Sequence, residues 1–145
     1  MIASLLLVAA TLFPVAPPVS MPPSAPIQTG WQHSAYTGHY YRPYQEPYRK
    51  CVSHREGRFQ YWTTGSNNYY EGTYQMTDAL LRGAAWMMAP ELREKFGDKK
   101  GKEIRDKLLE TPGRRWHRYY QDQAFYTILN WHGDWTGRKH WGTAC

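Results

Sequence analysis

From Met1 to Pro26 the sequence contains no charged residue. All of its Asp, Glu, Lys and Arg lie later. Cysteine is almost absent, with only Cys51 and Cys145 in 145 residues. Two cysteines are too few for a structural zinc site. The six histidines show no His-x-x-x-His spacing with a nearby acid, so no metal is expected. No Gly-x-Ser-x-Gly, phosphate-binding loop or dinucleotide fingerprint occurs, and no cofactor is implied. Internal repeats are absent, which excludes solenoids. Long hydrophobic runs are also missing: Met1 to Phe13 is the longest, and Pro14 breaks it too soon for a bilayer-spanning helix.

What is present divides the chain. Met1 to Phe13 has the character of the apolar core of an export signal, although no Lys or Arg precedes it and no clean small-x-small cleavage site follows. The expected organisation is a signal-like leader over 1–28, a Tyr/Pro-rich linker or packed arm over 29–46, and a folded domain over 47–145. Such a chain would be exported, with no stable membrane insertion afterwards. Cys51 and Cys145 bracket the folded part, and in an oxidising compartment they are expected to form one disulfide. A domain this small benefits from such a staple.

The formal net charge is +6, which favours an anionic partner such as nucleic acid, a membrane surface or an acidic cell wall. Between Glu91 and Arg118, however, acids and bases alternate as on a solvated helix face. Aromatic content is more telling. Seven Trp and twelve Tyr exceed what a small core can hide. Exposed rings stack on bases or on the apolar faces of sugars.

Pattern and punctuation predict mainly helices. Pro47 opens a helix that carries Tyr48, Cys51, Val52 and Arg55 at helical spacing and is stopped by Gly57. Phe59 to Tyr74 is aromatic and β-prone, with a turn over Thr64–Asn68, and predicts a hairpin or wing. Thr77 is the expected N-cap of a helix reaching Met88. Pro90 should end it and start a short helix, with a polar turn over Gly97–Gly101. Further helices are expected over Lys102–Glu110 and Arg115–Trp131. The fold class is α+β, mainly helical, with a short β-wing and one disulfide.

Glu56 stands at the end of the first helix, four residues after Val52. Cleaving a glycosidic bond needs a proton donor under the bridging oxygen. A carboxyl serves best where burial and a helix C-terminus both oppose its charge, as this position provides. The order of residues around it resembles the catalytic domain of resuscitation-promoting factors and the related actinobacterial transglycosylase-like proteins, within the lysozyme-like superfamily. Cys51 and Glu56 match the opening of that pattern. Tyr70, Gly72, Tyr74, Gln75 and Met76 match its Tyr-Tyr-Gly-x-x-Gln-Phe block. Trp135, Trp141 and Cys145 match its close. The segment around Ala89 to Trp116 looks like an insertion.

The resemblance implies a lysozyme-like fold acting on peptidoglycan glycan strands, at the β-1,4 bond between N-acetylmuramic acid and N-acetylglucosamine, in a secreted or cell-wall location. Glu56 would protonate the leaving oxygen and then act as base, giving a 1,6-anhydro or a hydrolysed product. Tyr70, Tyr74, Gln75 and Trp135 would contact substrate. Two departures stand out. The family's Glu-Ser-Gly is Glu56-Gly57-Arg58, and Glu71 interrupts the Tyr-Tyr-Gly run. Glu71 is therefore a candidate second carboxylate, against its reading as an exposed hairpin charge. Asp78 and Asp122 are weaker candidates, read as helix-start and solvent residues. Ser53 lies within reach of Glu56, and His54 is expected at the surface. The alternatives are a non-catalytic cell-wall glycan-binding module and, on charge and aromatics alone, a nucleic-acid binder. The absence of a recognition motif argues against the latter, and nucleic acid is not an expected partner.

Overall fold

The computed structural model describes residues 12–145. The apolar run Met1 to Phe13 thus lies almost wholly outside the described residues. The domain is mainly helical, with a small two-stranded antiparallel sheet and one disulfide. Its elements are α1 (Glu46–Gly57), β1 (Tyr70–Glu71), β2 (Met76–Thr77), α2 (Asp78–Phe96), α3 (Asp98–Glu110) and α4 (Arg118–Asn130).

Every residue of α4 is buried, including Arg118, Gln121, Asp122, Gln123 and Asn130. The other elements wrap this helix. A helix buried all round must find partners for each polar side chain. Gln121 shows how. Its Nε2 donates to the carbonyls of Tyr61 (2.9 Å) and Gly113 (3.0 Å), while its Oε1 accepts from the Thr73 amide at 3.2 Å. Asn130 and Gln45 exchange side-chain hydrogen bonds of 3.0 and 2.7 Å.

Helix α1 begins beside Pro47 and carries Tyr48, Arg49, Val52, Ser53 and Gly57 inward. The inward stripe is rotated from the one expected. Cys51 and Arg55 are exposed, and Arg49, which no apolar pattern would select, is fully buried. Thr77 caps α2 as expected, accepting from the Leu80 amide at 3.2 Å.

Pro90 does not end α2, which runs on to Phe96. The proline removes one hydrogen bond, to the carbonyl of exposed Trp86, and costs about 3 kcal/mol. Burial of Met88, Ala89, Leu92 and Phe96 along one side outweighs that loss. The expected turn over Gly97–Gly101 shrinks to Gly97 alone, at φ 92°, and α3 starts at Asp98. Gly101 has a packing role inside α3: a Cβ there would lie 2.5 Å from Arg93 Cα, so it lets α3 fold back tightly on α2. The final helix is shorter than expected, starting at Arg118 and ending at Asn130.

His117 caps α4 through Nδ1, which accepts from the Tyr119 amide at 3.0 Å. Burial first, and then the Arg118 charge, push its pKa below 6.5. The unfolded chain therefore binds a proton more readily than the folded one. This group's contribution is complete above pH 6.5 and is lost as pH falls through the depressed folded value. Denaturant midpoints should drop as the pH falls below about 6.5, and His117→Asn, which caps without titrating there, should flatten that part of the profile.

The hairpin forms one step later in sequence than expected. Tyr70 pairs with Thr77 and Glu71 with Met76, around a turn in which Gly72 (φ 76°) and Gln75 (φ 48°) are left-handed. Thr64 meets Glu71 only in an isolated bridge. Described residues from 19 to 45 also enter the same core. Val19, Gln28, Tyr36 and Gln45 are buried, Ser20 bridges Trp116, and Thr29 bridges Gln60.

Cys51 and Cys145 are disulfide-bonded, with Cα atoms 5.7 Å apart. The bridge ties the C-terminal tail to the exposed side of α1. A loop of 94 residues is closed, and the double Cys→Ser variant should lose about 2–4 kcal/mol in urea denaturation.

Candidate active site

The site is built where α1 ends. Gly57 packs directly on the β1–β2 turn, where a Cβ would approach Thr73 Cα to 2.5 Å. Ser53 Oγ and Thr73 Oγ1, 2.6 Å apart, fasten the same contact. Ser53 therefore serves the turn rather than Glu56. After Gly57 the backbone turns through two successive left-handed residues, Arg58 (φ 49°) and Phe59 (φ 63°). Their amides return to the carbonyls of His54 and Ser53, each at 3.0 Å, and close the helix.

Position 57 needs a residue without a side chain, because the turn lies against it. Position 58 is left-handed and occupied by Arg. A non-glycine residue pays about 1 kcal/mol there. Arg58→Gly should raise stability by up to that amount, read from the urea midpoint.

Glu56 lies on the side of the helix end between Val52 and Ser53, and its side chain is 30% exposed. Arg55 donates through Nε to Glu56 Oε1 at 2.8 Å, while its Nη2 donates to the Trp141 carbonyl and its Nη1 reaches Cys145 Sγ at 3.6 Å. Arg55 is thus not free in solvent. It joins the carboxylate to the disulfide-held tail. Oε1 is the oxygen engaged, and Oε2 takes no protein donor among the described residues.

No family model, curated protein or solved structure matches the chain.

The other expected site residues are distributed unevenly. Tyr70 is 44% exposed and sits edge-to-face against the still more exposed Tyr69, with ring centroids 4.9 Å apart. Tyr70 opens β1 of the hairpin that docks against the helix end, and Tyr69 immediately precedes it. Tyr74 cannot line a groove, because it is fully buried: its hydroxyl donates to Asp122 and lies 3.0 Å from Arg49 Nη1. Gln75 is half-buried, and its Nε2 donates to the Gly72 carbonyl at 2.8 Å, bracing the turn. Trp135 is half-buried, edge-on to Tyr48, with the Arg138 guanidinium 5.2 Å from its ring centroid.

Glu71 is neither a partner of Glu56 nor an exposed charge. It is buried and accepts from the Gly113 amide and from Arg114, stapling the hairpin to the 113–115 turn. Asp78 is exposed at the start of α2, and exposed His54 stacks on Phe59.

Asp122 overturns its reading as a solvent residue. It is fully buried, accepts from the Tyr61 and Tyr74 hydroxyls and from the Ala35 amide at 2.8 Å, and lies 3.8 Å from both Arg49 and Arg118. Burial, and then the Asp122 charge, hold the Tyr61 and Tyr74 hydroxyls well above their usual pKa against the opposing pull of the Arg49 cation, so both remain donors. Glu46 completes the network, bonded to Arg49 and Tyr126. Burial alone would raise its pKa, but the Arg49 hydrogen bonds and charge bring it below 4.5.

Among the described residues no group of three His, Cys, Asp or Glu could hold a metal ion, and no helix is long and apolar enough to cross a membrane.

Proposed function

We propose that this protein cleaves the glycan strands of peptidoglycan, with Glu56 as the single acid/base. The observation that carries the reading is the setting of Glu56. The carboxylate is two-thirds covered, beside Gly57, which packs on Thr73 of the β1–β2 turn; Arg55 joins it to the disulfide-held tail, and left-handed Arg58 and Phe59 close the helix just beyond it. Strained backbone of this kind concentrates at functional sites. Oε2 is the oxygen available to protonate the glycosidic oxygen. The same carboxylate, once deprotonated, accepts a proton from the attacking muramoyl 6-hydroxyl or from water. Tyr69 and Tyr70 offer exposed ring faces to sugars close to the turn. The purified protein should clear suspensions of peptidoglycan and release muropeptides whose reducing ends, read by mass spectrometry, report the 1,6-anhydro or hydrolysed outcome. Intact walls after prolonged incubation would reject cleavage.

A second reading, a non-catalytic wall-glycan binder, is favoured by one observation. Glu56 Oε1 is already paired with Arg55, and Glu56 does not line the best-formed surface cavities among the described residues, of about 200–450 Å³ each. That reading expects the protein to pellet with walls and release nothing.

A further inference from the structure

Two cavities of about 210 and 200 Å³ lie side by side along the outer face of α2 and share Met87 and Trp131. Together they form one groove that neither Glu56 nor the hairpin turn lines. Its middle is apolar: Met87 and the Trp131 indole, the latter backed by Tyr40 with ring centroids 5.6 Å apart. Its ends differ in charge. The first cavity ends at Lys139, His132 and His140. Burial, and the charge of Lys139, push the His140 pKa below its usual value, which leaves Lys139 as the fixed cation of that end. The second ends at Glu91 and Glu94. Glu91 is committed to the fold, accepting from the Tyr36 hydroxyl and the His39 amide, both at 2.8 Å. Glu94 and Lys139 are exposed and take no ion-pair partner among the described residues, unlike Lys100, Glu103, Lys102, Arg105 and Asp106 of α3, which pair with one another.

A neutral sugar has no use for an unpaired cation and an unpaired anion at opposite ends of an apolar trough. A short zwitterionic peptide does. We propose that this groove binds a short peptide with a free C-terminal carboxylate facing Lys139 and a side-chain ammonium facing Glu94, its aliphatic part lying across Met87 and Trp131. Identifying that peptide with the cross-linking peptides of peptidoglycan rests on the function proposed above; the groove's chemistry does not.

The test uses the full chain, labelled with ¹⁵N, and follows the Trp131 indole resonance while an N-acetylated tetrapeptide Ala-Glu-Lys-Ala with a free carboxylate is added. The resonance should shift saturably. Lys139→Glu and Glu94→Lys should each weaken binding about fivefold or more. Acetylating the peptide's lysine should weaken binding to the wild type and leave the Glu94→Lys variant indifferent. Absence of any shift at millimolar peptide, undiminished wild-type affinity in both charge variants, or an equally strong shift with a chito-oligosaccharide would overturn the proposal. Glu56→Gln should bind the peptide like the wild type. Retained peptide binding by a wild-type protein that fails to cleave walls therefore rejects the assignment of Glu56 while supporting the groove.

Discussion

Glu56→Gln should lower wall-cleaving activity by about 10²–10⁴-fold, the range that a positioned acid/base contributes. The substitution keeps the length and most of the hydrogen-bonding shape of the side chain but removes the proton that is transferred. The side chain is partly exposed and its one partner, Arg55, is itself partly exposed, so the urea midpoint should move by no more than about 0.5 kcal/mol in free energy. Cosedimentation with walls should persist, because the exposed rings of Tyr69 and Tyr70 are untouched. These three readouts separate the two functional readings. Lost turnover with intact folding and intact binding supports catalysis by Glu56. Undiminished turnover places the chemistry elsewhere. Arg55→Met sharpens the test. If the pair with Arg55 holds the carboxylate in position, the variant should change kcat and the pH profile of the reaction more than wall binding.

The helical part of the fold was legible wherever a local signal acted alone. Pro47 opening α1, Thr77 capping α2 and the Cys51–Cys145 pair are of this kind. Readings based on proline and glycine as breakers failed at Pro90 and Gly101, because tertiary packing decided both positions. A continuous buried face carried α2 through the proline, and the close approach of α3 to Arg93 required the glycine. The position of Glu56 at a helix end was readable from the glycine that follows it. The contact of Gly57 with Thr73 was not, because the two meet across a turn that the sequence placed several residues earlier. Least legible was the interior. Arg49, Asp122 and Glu46 look like surface charges in any window, and only their mutual placement, from helices far apart in sequence, makes burial affordable.

That interior makes Asp122→Ala the most damaging single substitution expected for stability. Its carboxylate stands between the Arg49 and Arg118 guanidinium groups and accepts from Tyr61, Tyr74 and the Ala35 amide. Removing it leaves two tyrosine hydroxyls without their acceptor and strips Arg49 and Arg118 of a shared counter-charge at sites where water does not reach. Breaking one partner out of a buried ionic cluster costs about 3–5 kcal/mol, a large part of the 5–15 kcal/mol that typically holds a domain together. Asp122→Asn should cost less, since its carbonyl oxygen still accepts from the tyrosines. Arg49→Met combined with Asp122→Asn should cost less than the sum of the two singles, because the second change removes a charge that the first has already left unpaired. Urea denaturation of the four proteins measures this coupling. A loss below about 1 kcal/mol for Asp122→Ala would show that water reaches the carboxylate and that the cluster is not a keystone of the fold. The consequence reaches the site as well. Tyr74 follows Thr73 in the turn that holds the end of α1, so loosening the Asp122–Tyr74 bond should lower activity at temperatures where the domain is still folded, with Asp122→Asn the variant in which that effect can be measured.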